Sequence, residues 1–310
     1  MHIPNGFIDG KTALTTGVLA VAALAWALQR VRATLPPQRT PLLGLAAAFI
    51  FAAQMLNFPV AGGTSGHLIG GALAAILLGP AAALVSMSAV IVLQGLLFND
   101  GGVTALGANL FNMAVIAPVV AWLVYQPVQR LLGGSTRARL VAAALAAWCS
   151  TVVAALACAG QLAWSGTVKG ALAFPAMGGI HALIGIGEAL ITALILRAVA
   201  AARPDLLAEA APARPAGLVV LGLLAAVGLV VFVAPFACAW PDGLEKVAAQ
   251  LGFEHKASAT PWFTSPLADY QVAGLTSEKL GIILAGLFGI LAVFVGAWAV
   301  ARMMKVRSKM

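Results

Sequence analysis

Nine apolar stretches, most of them close to the length of a membrane crossing, constrain this chain more than any motif in it. They run approximately over 12–30, 41–57, 67–79, 81–98, 104–125, 138–163, 174–198, 215–237 and 279–302. A helix rises about 1.5 Å per residue, so about 20 apolar residues cover the hydrocarbon of a bilayer. Backbone in lipid must satisfy its own polar groups, and continuous apolar runs do so as helices. With 62% hydrophobic and 9% charged residues and a mean hydropathy of +1.00, the chain falls outside the range of soluble domains. The reading is an all-α polytopic membrane protein. Its first apolar stretch lacks a basic flank and a cleavage site, so it is expected to be retained, with Met1 kept at the amino terminus.

Charge sets the expected topology. The stretch from His67 to Phe98 can be read as one long helix or as two broken at Leu78, Gly79 and Pro80. With two helices, the segments 30–40, 126–139, 197–214 and 302–310 share one side and hold 13 of the 18 Lys and Arg residues. With one helix, those basic loops would be divided between the two sides, against the positive-inside rule. The break is therefore preferred, placing the amino terminus outside and the carboxyl terminus inside. The net charge of +8 then belongs to cytoplasmic loops, and no nucleic-acid partner is expected. Cys149, Cys158 and Cys238 form no CxxC pattern and are read as packing residues.

Histidine is scarce, with four in 310 residues, yet the chain opens Met1, His2, and His67 follows a Gly/Ser/Thr-rich turn. A free amine, the main-chain nitrogen of His2 and its imidazole can close two fused chelate rings around one ion. His67 is the candidate for the remaining in-plane position. Four in-plane nitrogens suit Ni(II) or Cu(II), which bond strongly enough to displace an amide proton. The residues alone leave open the alternative that Met1 is only a start residue and His2 incidental. Because the segment after His67 reaches Gly79 within about a dozen residues, it covers roughly 18 Å, and His67 is expected to lie inside the outer half of the membrane.

Other polar residues could support such a site. His181 and Glu188 stand two turns apart on one face of an apolar span. Intramembrane ionisable groups are costly and point to function. They either orient His67 or its loop around the ion or clamp helices together. Thr64 and Ser65 in the turn, and Asn57 before it, are further candidates for support. Asn99, Asp100, Asn109 and Asn112 are read as satisfying loop backbone and closing the cavity. Gly44, Ala48 and Ala52 make a small-residue stripe, suited to internal packing or to another subunit. Past residue 200, a Pro/Ala-rich segment leads to a helical hairpin whose outer loop is mildly acidic, with Asp242, Glu245, Glu254, Asp269 and Glu278.

The chain resembles the substrate-binding membrane component of nickel and cobalt energy-coupling-factor transporters over nearly its whole length. The resemblance is carried by Met1 to Phe7, by Asn57-Phe58-Pro59 with Gly63 to His67, and by Leu78-Gly79-Pro80. Phe98 to Gly102, Ala108-Asn109, and His181 with Glu188 add to it. The segment Pro241 to Val247 looks like the companion small component, fused here. The fusion, and Pro4 where cobalt relatives commonly carry Met, resemble the nickel branch; Asn5 departs from a commonly acidic position. The resemblance implies a seven-helix bundle over 1–200, a cytoplasmic linker over 201–214 and a two-helix hairpin over 215–310. It further implies ligation of Ni(II), or alternatively Co(II), by the Met1 amine, the His2 main-chain and ring nitrogens and the His67 ring. A transmembrane coupling protein and ABC-type ATPase subunits are implied as partners, in the cell (inner) membrane, with the ion as substrate and no cofactor. The chain has no GxxxxGK[ST] loop of its own to hold ATP. Gly185-Ile186-Gly187 has Leu190 where a dinucleotide fingerprint needs glycine, and is read as a membrane segment.

Two readings from other classes are set against this one. An intramembrane hydrolase would use Ser65 or Ser86 with His67 or His181, but no nucleophile motif surrounds either serine, so no enzyme is expected. A stand-alone carrier would carry inverted repeats and several intramembrane charges, both weak here.

Overall fold

The computed structural model describes residues 1–202, 215–257, 265 and 267–306. The expected linker falls largely on 203–214, outside the described residues. The chain begins with an irregular segment, residues 1–9, and then forms α1 (Gly10–Thr34), α2 (Thr40–Gln54), a two-stranded antiparallel hairpin of β1 (Phe58–Val60) and β2 (Thr64–Gly66), α3 (Gly71–Leu78) and α4 (Pro80–Leu93). A π-helical turn, Gln94–Phe98, extends α4. After α5 (Leu106–Asn109), a second π-helical stretch, Leu110–Ile116, runs into α6 (Ala117–Leu131). Then come α7 (Thr136–Trp164), α8 (Gly170–Ala202), α9 (Pro215–Phe232), the short α10 (Gly243–Leu251) and α11 (Glu278–Val306).

Helix ends follow local chemistry. Asp9 starts α1 by accepting the Thr12 N–H at 2.9 Å, and Ser135 starts α7 by accepting the Ala138 N–H at 3.2 Å. At Gly79 the backbone has φ +81°, where glycine carries no Cβ penalty, and Pro80 opens the next helix as a first-turn residue that needs no N–H donor. The break expected at Leu78-Gly79-Pro80 is therefore present. Among the described residues, seven helical spans are long and apolar enough to cross a membrane; α2, with 15 residues, and α3, with 8, are shorter and are not among them.

One expectation is corrected. The helix after His67 begins at Gly71 and has eight residues, giving about 12 Å of rise rather than about 18 Å. Residues 67–70 remain non-helical, with Gly70 at φ +82°. The small-residue stripe of α2 packs inward: Ala48 and Ala52 are fully buried, and Gly44 lies against Phe294 of α11. A side chain at Gly44 would drive a methyl into the Phe294 carbonyl. The appended α9 and α11 thus close directly onto the bundle through α2.

Candidate metal centre at the amino terminus

The first seven residues fold back into the bundle, with Met1, Ile3 and Phe7 all buried. Asn109 explains the chain's path. Its side-chain oxygen accepts the Ile3 N–H at 2.8 Å, its amide donates to the Ile3 carbonyl at 3.1 Å, and that carbonyl also accepts the Gly102 N–H at 2.8 Å. Asn5 accepts from the Thr104 N–H and hydroxyl at 3.0 and 2.8 Å. The Thr167 hydroxyl donates to the Phe7 carbonyl at 2.5 Å. A segment without regular structure thereby has its backbone groups met by side chains, as burial requires.

This path brings together the three residues singled out in the sequence. The Met1 amine lies 3.3 Å from Nε2 of His67. The His2 and His67 rings stack at 5.6 Å between centroids with 18° between planes. His67 occupies the loop after β2, and its Nδ1 lies 3.2 Å from the Leu68 carbonyl, leaving Nε2 turned toward the amine. Two carboxylates face the same nitrogens. Asp242 Oδ2 meets the Met1 ammonium at 2.5 Å, and Asp100 Oδ1 lies 2.9 Å from His2 Nδ1. On its other edge, His2 Nε2 is 3.3 Å from Gln94 Oε1. Tyr270 closes the circuit by donating to Asp100 Oδ2 at 2.6 Å while accepting from Gln94 at 3.0 Å.

The charges are mutually sustaining. Burial pushes the Met1 ammonium toward deprotonation, but the Asp242 carboxylate bonded to it and the charge of Asp100 together hold its pKa above the ordinary amine value. Burial likewise pushes Asp242 up, and the facing ammonium prevails, keeping it well below the usual carboxylate range. Asp100 is held low in the same way, by His2 and by the Tyr270 hydroxyl acting against burial.

The supporting candidates sit at different depths. Ser65 donates to the Trp240 carbonyl at 2.7 Å, and its N–H to the Pro241 carbonyl at 2.8 Å; the Thr64 hydroxyl reaches Pro241 at 3.0 Å. Asn57 enters through its main-chain carbonyl, which accepts the Cys238 N–H at 2.8 Å. These bonds dock the segment before α10 onto the hairpin that precedes His67. His181 lines a small cavity together with Met1, His67, Asp242 and Gly243, its Nδ1 lying 2.9 Å from the Met177 carbonyl of its own helix. Glu188 is farther along α8 and binds the Ile69 and Gly70 amides. Asn112 pairs reciprocally with Gln161, at 2.8 and 2.7 Å.

Sequence reading missed Asp242, Gln94 and Tyr270 as members of this cluster and gave Asp100 only a loop role. Gln94 was detectable as a polar residue at the end of a long apolar run. The Asp242 to Glu245 spacing is a capping box, and that box forms, but nothing in the spacing indicates where the second Asp242 oxygen points. The serines of the hydrolase reading donate to carbonyls instead of facing a base: Ser65 to Trp240, and Ser86 to Leu43 at 3.1 Å. Among the described residues, no three His, Cys, Asp or Glu side chains are arranged to hold a metal ion. Ligation here would enlist main-chain nitrogen.

Comparison with known proteins decides the family. Residues 2–206 match the cobalt uptake substrate-specific transmembrane region, and residues 216–306 match the PDGLE domain. The chain belongs to the cobalt uptake transmembrane family. A protein of Archaeoglobus fulgidus, provisionally described as a fused nickel transport protein, is 38% identical over 97% of this chain and 98% of its own length. The fused nickel transport protein of Rhodobacter capsulatus is 32% identical over 96% of each chain. A crystal structure of a truncated transition metal transporter is 34% identical, covering 65% of this chain and 99% of its own, with a TM-score of 0.59. Similar proteins are named as nickel, cobalt or metal transport proteins and not as enzymes. With seven helices able to cross a bilayer among the described residues, this member is a multi-pass membrane protein.

Proposed function

We propose that this chain is the substrate-capture subunit of an ATP-driven uptake transporter for Ni(II), with Co(II) as the alternative ion. The observation that carries the reading is the 3.3 Å approach of the buried Met1 amine to His67 Nε2. Metal–nitrogen bonds of about 2 Å place neighbouring in-plane donors roughly 2.8 Å apart, so a small inward shift would bring both onto one ion. The His2 main-chain nitrogen and His2 Nδ1 complete the set, since Nδ1 closes a six-membered chelate ring. Loading exchanges two contacts for metal bonds, Asp242 on the amine and Asp100 on Nδ1. Loading releases one proton from the Met1 ammonium and one from the His2 main-chain N–H, and requires the His2 ring to carry any proton on Nε2 instead of Nδ1; the two carboxylates then face the bound ion.

In this reading residues 1–200 bind the ion, 201–214 link and 215–310 form the appended module. The amino terminus faces outside and the carboxyl terminus inside the cell (inner) membrane. Energy comes from a transmembrane coupling protein and ABC-type ATPase subunits. Reconstitution with such partners in liposomes is expected to give radioactive nickel uptake that requires ATP. Equal uptake by the chain alone would favour the stand-alone carrier and contradict the proposal. Competition by unlabelled Co(II) ranks the two ions.

A further inference from the structure

Glu188 is completely buried in α8, yet both of its oxygens are committed to main-chain donors 118 and 119 residues away in sequence. Oε2 accepts the Ile69 N–H at 2.6 Å and Oε1 the Gly70 N–H at 3.0 Å. The same peptide stretch is held from the opposite side by Gln54 of α2, whose amide donates to the Ile69 carbonyl at 2.7 Å. Gly70 sits at φ +82°, and a methyl there would lie 2.8 Å from Ile50, so the turn is fixed sterically as well. These contacts fix residues 69 and 70, two and three positions after His67. The His67 backbone enters from the hairpin and leaves into this clamp, and its Nε2 faces the Met1 amine.

We infer that Glu188 is a positioning residue for metal capture, setting the His67 ring at the fourth donor position through the Ile69–Gly70 peptide. The inference rests on the proposed donor set. It differs from a simple helix cap in what it controls. A cap would stabilise α3, whereas positioning determines which atom occupies the fourth place around the ion.

Glu188→Gln in the full chain keeps the side-chain shape but turns one acceptor into an NH2 group facing an N–H donor. The expected result with Ni(II) is a dissociation constant raised about tenfold and a ligand-field absorption band moved to longer wavelength. The shift should run toward the spectrum of His67→Ala, because a weak-field water replaces an imidazole. Ser86→Ala removes a buried hydroxyl that donates to the Leu43 carbonyl of α2, and is expected to lower thermal stability without moving the band. An unmoved band in Glu188→Gln, with His67→Ala shifted, overturns the positioning role and leaves the donor set intact. An equal shift in Ser86→Ala also overturns it. If His67→Ala itself leaves the band unchanged, the donor set fails and this inference with it.

Discussion

Asp242 divides its carboxylate between two tasks. Oδ1 accepts the Glu245 N–H at 2.8 Å and so starts α10, while Oδ2 meets the Met1 ammonium. The Met1 side chain is only 2% exposed and that of Asp242 18%. Removing one member of a buried ion pair leaves the other charge uncompensated, at a typical cost of about 3 kcal/mol. Asp242→Asn retains an oxygen that can cap the helix, so its loss of stability reports mainly on the ion pair. Thermal unfolding in detergent without metal should show a clear drop, up to about 3 kcal/mol; an unchanged transition would contradict the importance of the contact. At this scale the sequence singles out Met1, His2 and His67, which the fold brings together, because chelate chemistry depends on residue type and position at the start of the chain. Asp242 was not, because its partner lies 241 residues away and no local pattern encodes that meeting.

Helices were read well from hydropathy, and their irregularities were not. Each of the nine apolar stretches corresponds to a helix, and the break at Gly79-Pro80 follows from the Gly and Pro themselves. The late start of α3 was hidden because Leu68 and Ile69 are apolar and continue the hydrophobic run, although Glu188 binds the Ile69 and Gly70 N–H groups ahead of the helix. The two π-helical stretches were also invisible, since an extra residue in a turn leaves composition unchanged. Such expansions often mark functional sites; here one carries Gln94 toward His2, and the other begins directly after Asn109. Gly70→Ala tests the loop as an element. A non-glycine residue in the left-handed region costs about 1–2 kcal/mol, and the added methyl also meets Ile50. Lower thermal stability together with weakened Ni(II) binding is expected by titration calorimetry. Full-strength binding would show that the turn does not position His67.

Across the whole molecule, the appended module reaches the ends of the proposed metal site. Asp242 touches the Met1 amine, Pro241 and Trp240 dock on the hairpin before His67, and Tyr270 holds the Asp100 that faces His2. Phe253 packs edge-on against Phe7 at 5.2 Å. Hydropathy made the helices readable and charge parity the break at Gly79, while the docking of 240–253 over the first seven residues needed the three-dimensional structure. The central claim is that the ion is held by the chain's own terminal amine. Extending the chain by one glycine before Met1 converts that amine to an amide and leaves every side chain in place. Calorimetric titration of the purified extended protein with Ni(II), beside the chain beginning at Met1, should show stoichiometric binding by the latter and its loss on extension. One equivalent of Ni(II) bound with unchanged affinity by the extended protein would contradict the account.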